Sequence, residues 1–220
     1  MRRWLGHGKP TGRYDSAMLV QRIEQQFIDS ADLKYQCAQS LAPRVEMAIT
    51  AIMASVTGGG KVLACGHAEG IALAQSFVSA FLGRFERERP ELAALALTAE
   101  ATGLSSMGTD WDAAAALSRP LRALGLPGDV LLIVALTGQE AHWSAVVKTA
   151  HSRDMTVVAL TDAHGGALKQ TLSDTDVIIA VPHESPARVH EVQQLVLHCV
   201  CDGIDAQLLG LPPNPLSPME

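Results

Sequence analysis

No apolar stretch of the 220-residue chain reaches about 18 residues without a charge or a turn signal, which excludes a membrane-spanning helix. Nor does an apolar core follow the basic residues of Met1–Ser16, so that segment is not a signal peptide and reads as a flexible N-terminal tail. A surplus of positive charge is also missing. The net charge is −6 and the pI about 5.7, which argues against a surface built to neutralise nucleic-acid phosphates. Cysteine is limited to Cys37, Cys65, Cys199 and Cys201. They lie inside apolar segments, without the paired spacing of a zinc knuckle or the density of a disulfide scaffold, so a reducing, cytoplasmic home is expected. No internal repeat is visible.

What is present suits one globular domain with a full-sized core: 48% hydrophobic and 18% charged residues. From Ala17 to about Val56 the apolar positions Ile23, Phe27, Val45, Ala48, Ile49, Ile52 and Met53 recur at helical spacing. This predicts two long helices, or one broken near Pro43. Beyond them the pattern changes. Short runs rich in Val, Leu and Ile at 62–65, 93–97, 130–135, 156–160 and 177–181 alternate with helical stretches, which is βαβ order and implies a parallel sheet covered on both faces. Residues 186–209 read as a long helix opened by Pro186, with Val189, Val192, Leu195, Val196, Cys199 and Val200 on one side. A proline-rich tail over 211–220 ends regular structure.

The expected architecture is therefore α/β: a doubly wound, five-stranded parallel sheet in a flavodoxin-like three-layer sandwich. A helical arm over 17–56 precedes an α/β core over 57–210. Ligands of such sheets bind beyond the C-terminal strand ends, in the loops 66–70, 98–105, 135–140, 161–166 and 182–186. The first of these, Gly66-His67-Ala68-Glu69-Gly70, joins a buried strand to a helix, the geometry that aims backbone N–H groups at an anion. Yet Glu69 places a carboxylate in its mouth.

Three other features read more plainly. The glycines of GGGK at 58–61 precede a strand, and Lys61 is followed by Val62, so they form a turn and not a phosphate loop. Cys199 and Cys201 point about 200° apart around a helix and cannot chelate together. Asp162 and His164 fit backbone hydrogen bonding in a turn.

CG at 65–66, GRFERERPEL at 83–92, ALGLPGDVLL at 123–132, RDMTVVALT at 153–161, GG at 165–166 and PARVHEVQQLVLHCVCDGID at 186–205 together resemble the sugar isomerase (SIS) domains of the phosphoheptose isomerase branch, over roughly residues 20–209. Within that branch the RFERERP, RDMTVVALT and CDGID stretches are most similar to the DnaA initiator-associating proteins, DiaA. The isomerases of the branch have a Gly-Asn-Gly-Gly-Ser-Ala loop, then a helix bearing a His and, four residues later, a catalytic Glu. Here His67, Ala68, Glu69 and Gly70 follow Gly66, Ser76 replaces the His, and Ala80 replaces the Glu. Moving a proton between adjacent carbons needs a base within reach of the substrate, and Ala80 cannot be one.

The second phosphate loop, Ser-Thr-Ser-Gly-Asn-Ser in the family, is Ala135-Leu136-Thr137-Gly138-Gln139-Glu140 here. A carboxylate about 4 Å from a phosphate at an effective dielectric near 20 repels it by about 4 kcal/mol per unit charge. Zinc-binding isomerases of the branch carry a His, Glu, Gln, His set, of which His190 and His198 remain as imidazoles at matching places. About 80° apart on one helix, they are too few for a metal, and no cofactor is expected. The resemblance also assigns to the pocket Arg84, which can pair with Glu69 or Glu140, and Glu100, where the family has Asp. Without the resemblance, His198 reads as a packed core or interface histidine.

The ligand pocket implied by the resemblance comprises Gly66, His67, Glu69, Gly70, Arg84, Glu100, Thr137, Gln139, Glu140, His190 and His198. Leu208 and Leu209 match the positions through which DiaA contacts the initiator. The resemblance thus implies a non-catalytic homotetrameric adaptor for the N-terminal domain of DnaA, with no direct nucleic-acid or membrane partner. The alternatives are a sedoheptulose 7-phosphate isomerase with a divergent pocket, whose catalysis would rest on His198, and a non-catalytic sensor of a carbohydrate derivative, a sugar or nucleotide-sugar, with Glu69 and Glu140 accepting from its hydroxyls; a sugar or sugar phosphate is thus the small-molecule partner implied.

Overall fold

The structure, a computed structural model, describes residues 16–97 and 113–212. The expected tails thus lie outside the described residues, save Ser16, Leu211 and Pro212, as does the loop 98–105 with Glu100. The elements run α1 (Ser16–Thr57), β1 (Val62–Gly66), α2 (Gly70–Leu82), β2 (Ala94–Ala96), α3 (Ala113–Leu124), β3 (Val130–Val134), α4 (His142–His151), β4 (Thr156–Asp162), α5 (Gly166–Thr171), β5 (Val177–Val181) and α6 (Pro186–Leu209).

Five parallel strands pair in the order β2-β1-β3-β4-β5, with Val62 against Val130 and Val130 against Thr156. Every residue of β1 and β3 is buried, as strands covered on both faces must be. Alternation then sorts the core. Val62, Ala64, Val130, Leu132, Val158 and Leu160 face α1, α2 and α6, whereas Leu63, Cys65, Leu131, Ile133, Val157 and Ala159 face α3, α4 and α5. The three-layer sandwich expected from the pattern is thereby present, with its N-terminal helix.

Of the two forms open for the N-terminal segment, the structure has one helix of 42 residues with Pro43 inside it. Leu33, Cys37, Leu41, Val45, Ala48 and Ile52 fall at spacings of three and four and bury one stripe against the sheet and α6. α6 begins with Pro186 after Ser185 as N-cap and stops at Gly210, whose φ of 62° is left-handed.

Gly58 to Gly60 form the turn between α1 and β1, with Gly59 at φ 86°. Lys61 then closes the N-terminal edge of the sheet. Its ammonium lies 2.5 Å from Asp129, which also accepts from the amides of Lys61 and Leu126. The 58–61 stretch is therefore a clamp far from the ligand edge.

Candidate functional site

At the C-terminal edge the β1–α2 loop is pressed against β3. A Cβ on Gly70 would lie 2.2 Å from the Val134 carbonyl oxygen, and one on Gly66 would lie 2.3 Å from Gly70, so only glycine fits either position. The next loop is equally tight, since a Cβ on Gly138 would meet the Gly165 carbonyl at 2.1 Å. Glycine here fixes loop shape, and the side chains around it decide chemistry.

Those side chains divide into two groups. His67 is exposed, and its ring centroid lies 5.3 Å from that of His142 at the start of α4. Glu69 occupies the N-cap of α2, exposed, with no side-chain cap bond. Glu140 accepts from the Thr137 hydroxyl at 3.0 Å and from the Trp143 indole at 2.9 Å, so both of its oxygens are held on its own turn. Gln139 is exposed beside it. Asp162 accepts from the Gly165 amide, the turn bonding expected of it.

The second group lies further along α2. Ser76, Phe77 and Ala80 of α2, Phe85, and Gln194, Leu197, His198 and Cys201 of α6 line an open hollow of about 50 Å³. The His198 ring packs 5.4 Å from Phe85. Burial, and then the Asp205 carboxylate, push the Cys201 thiol up to about 12, so it stays protonated at neutral pH. His198 is left as the hollow's side chain able to exchange a proton there. His190 is half-buried on α6 and does not line the hollow.

Two expectations need correction. Arg84 pairs with Glu88, both exposed, and not with Glu69 or Glu140. Glu69 starts α2 and Arg84 follows its end, and 13 helical residues separate them by about 20 Å.

The RFERERP and CDGID stretches, expected to mark an initiator adaptor, serve the scaffold instead. Arg89 donates from Nε to Asp205 at 2.6 Å, with side-chain exposures of 0% and 2%. Its other nitrogens donate to the carbonyls of Ala80, Phe81 and Pro90. Gly203 touches α1, where a Cβ would lie 2.4 Å from Ile49 Cδ1. These stretches lock α2 to α6 behind the hollow, a demand of the scaffold that carries no information on a partner. Leu208 and Leu209 are 36% and 39% exposed at the far end of α6.

A zinc site of the branch's kind needs nitrogen and carboxylate donors on α2 as well as on α6. Ser76 and Ala80 supply no nitrogen or carboxylate, and among the described residues no three of His, Cys, Asp and Glu converge as a metal site. The described residues do not fit zinc.

Sequence reasoning missed His142, Phe85, Gln194 and the Arg89–Asp205 pair. Landmarks containing charged residues in otherwise apolar context, as CDGID does, were the available signal for the last.

The SIS domain family matches residues 26–162. A protein named phosphoheptose isomerase from Methylibium petroleiphilum is 49% identical over 193 residues, covering 88% of this chain and 96% of that one. A second of that name, from Azoarcus sp., is 45% identical over the same length and is covered to 98%. Among solved structures, a phosphoheptose isomerase from Francisella tularensis superposes with a TM-score of 0.80 at 34% identity, covering 84% of this chain and 97% of that one. Phosphoheptose isomerase GmhA from Neisseria gonorrhoeae gives 0.78 at 37% identity, covering 85% and 99%. These proteins carry the name of an isomerase and nothing in them points to a replication initiator, so the adaptor expectation is overturned. The chain belongs to the SIS domain family, in its phosphoheptose isomerase branch.

Proposed function

We propose that the protein is an aldose–ketose isomerase acting on sedoheptulose 7-phosphate, assembled as a homotetramer in the cytoplasm. The observation that carries this reading is the placement of His198 in the hollow between α2 and α6, in a chain whose relatives are named for that activity. Isomerisation takes a proton from one carbon and returns it to the next, and an imidazole does both. Ser76 and Gln194 supply a hydroxyl and an amide to the sugar hydroxyls, while Phe77, Phe85 and Leu197 give the hollow apolar walls. Ser76 lies six residues into α2 from Gly70, about 9 Å along the helix. That span is comparable to an open seven-carbon chain with its phosphate at the loops and its carbonyl at His198.

The tetramer is supported by the outer half of α1, residues 16–32, in which no residue is buried. Four free cysteines, three of them buried, suit a reducing compartment.

The test is turnover of sedoheptulose 7-phosphate by the purified protein and its His198→Ala variant. A general acid–base contributes about 10²- to 10⁴-fold, and the variant is expected to lose that much. One observation favours a second reading: Ala80 leaves the hollow with no carboxylate beside His198. On that reading the protein binds the sugar phosphate without converting it. Wild type and variant then both show no turnover, while the sugar phosphate still raises the Tm of the wild type.

A further inference from the structure

The face of α6 that lies on the sheet is written in apolar side chains: Val189, Val192, Val196 and Val200 are all buried. Gln193 interrupts them, at 0% exposure. Its Nε2 donates to the Ala135 carbonyl at 2.7 Å. Ala135 directly follows β3, and while its own amide still donates to Leu160 of β4, its carbonyl is taken by the helix. The other end of the glutamine amide is less well served, for Oε1 is buried without a hydrogen-bond partner among the described residues. An unmade buried acceptor is a stability cost that an apolar side chain would not carry. What glutamine adds at this position is the N–H donor.

We infer that Gln193 is a positioning residue for His198: it pins α6 to the end of β3 and so holds the imidazole in its place in the hollow. The inference rests on the isomerase reading above. Apolar contacts are non-directional, and a row of valines lets a helix slide or turn slightly on the sheet. A 2.7 Å hydrogen bond does not. α6 carries one such polar anchor on either side of His198. Gln193 stands five residues before it, and Asp205, bonded to Arg89, seven residues after it, about 7.5 and 10.5 Å along the axis. Two fixed points set both the rise and the rotation of the segment between them, and Gln194 and His198, which line the hollow, lie in that segment. No carboxylate lines the hollow to orient the imidazole, so the placement of the ring falls to the helix that carries it.

The experiment compares the full-length wild type with Gln193→Leu, which removes the donor, and Gln193→His, which restores an N–H of similar reach. Each is read for kcat and KM on sedoheptulose 7-phosphate, for Tm, and for the imidazole NMR signals of His198, identified by their absence in His198→Ala. Those signals sense the Phe85 ring, 5.4 Å from the imidazole, and need no substrate. Gln193→Leu should keep the wild-type Tm, lose about 10- to 100-fold in kcat with KM little changed, and shift the His198 signals. Gln193→His should recover both kcat and signals. A leucine variant with wild-type kcat, with unmoved His198 signals, or with a kcat that falls only together with its Tm overturns the positioning role and leaves the isomerase reading standing. A wild type without turnover overturns the isomerase reading instead. The NMR signals then decide the positioning role: moved in Gln193→Leu and restored in Gln193→His they support it, and unmoved they overturn it.

Discussion

Arg89 is the residue on which the hollow depends. Its guanidinium is fully buried and satisfied by Asp205 and three carbonyls, two of them from the end of α2, so one side chain sets how far α2 stands from α6. Removing one member of such a pair strands a buried charge. Asp205→Ala is expected to lower stability by about 3–5 kcal/mol, as read by urea unfolding, whereas replacing both residues by apolar ones should cost much less. A loss below about 1 kcal/mol would mean that the three carbonyls hold the guanidinium unaided. The pair was not legible as a pair in the sequence, because 116 positions separate its members and only the fold brings them together. The same distance blindness explains His142. Alone it is one more residue of a helix start, and it gains meaning only when the parallel pairing of β1 with β3 sets it across from His67. His198 was legible, since its place on an apolar helix and its match to the family are both local.

Elements were easier to read than sites. The five strands were expected at 62–65, 93–97, 130–135, 156–160 and 177–181, and the structure has them within two residues, because strands buried on both faces are written as continuous apolar runs. Pro43 was the ambiguous signal. An interior proline removes a backbone hydrogen bond and costs about 3 kcal/mol or more, which argues for a break. The helix continues because its buried stripe has members on either side, Leu33, Cys37 and Leu41 before Pro43 and Val45, Ala48 and Ile52 after it, all packed into one core. Near the proline the Ser40 hydroxyl bonds to the carbonyls of Gln36 and Cys37. Pro43→Ala should therefore stabilise the protein, by about 1–3 kcal/mol in chemical denaturation. A loss would show that the proline stabilises the fold more than the missing backbone hydrogen bond costs.

At the scale of the molecule, α1 extends past the core it packs on, with no residue of 16–32 buried. Packing begins at Leu33, and the residues before it include Met18, Ile23 and Phe27 at 61%, 49% and 75% exposure. Polar links tie this half of the helix to α6, where Ser30 donates to Glu191 and Arg188 bonds both Glu191 and Gln26. Partly exposed links of this kind contribute little, under about 1 kcal/mol each. A helix half of that length without tertiary packing is marginal in water, and its apolar side chains are not spread as isolated surface residues. Beyond it, Cys37, Ala38, Leu41, Val45, Leu195 and Cys199 line an apolar groove between α1 and α6 of about 360 Å³. The homotetramer proposed above would cover both through this face. Sedimentation of the wild type should give a tetramer with a concentration-dependent Tm, and Phe27→Glu should reduce the assembly. Because the variant touches nothing in the hollow, its effect on turnover separates two designs. Activity retained by the smaller species means that each protomer carries a complete site, and activity lost with the assembly means that the hollow at His198 is finished by a neighbouring copy.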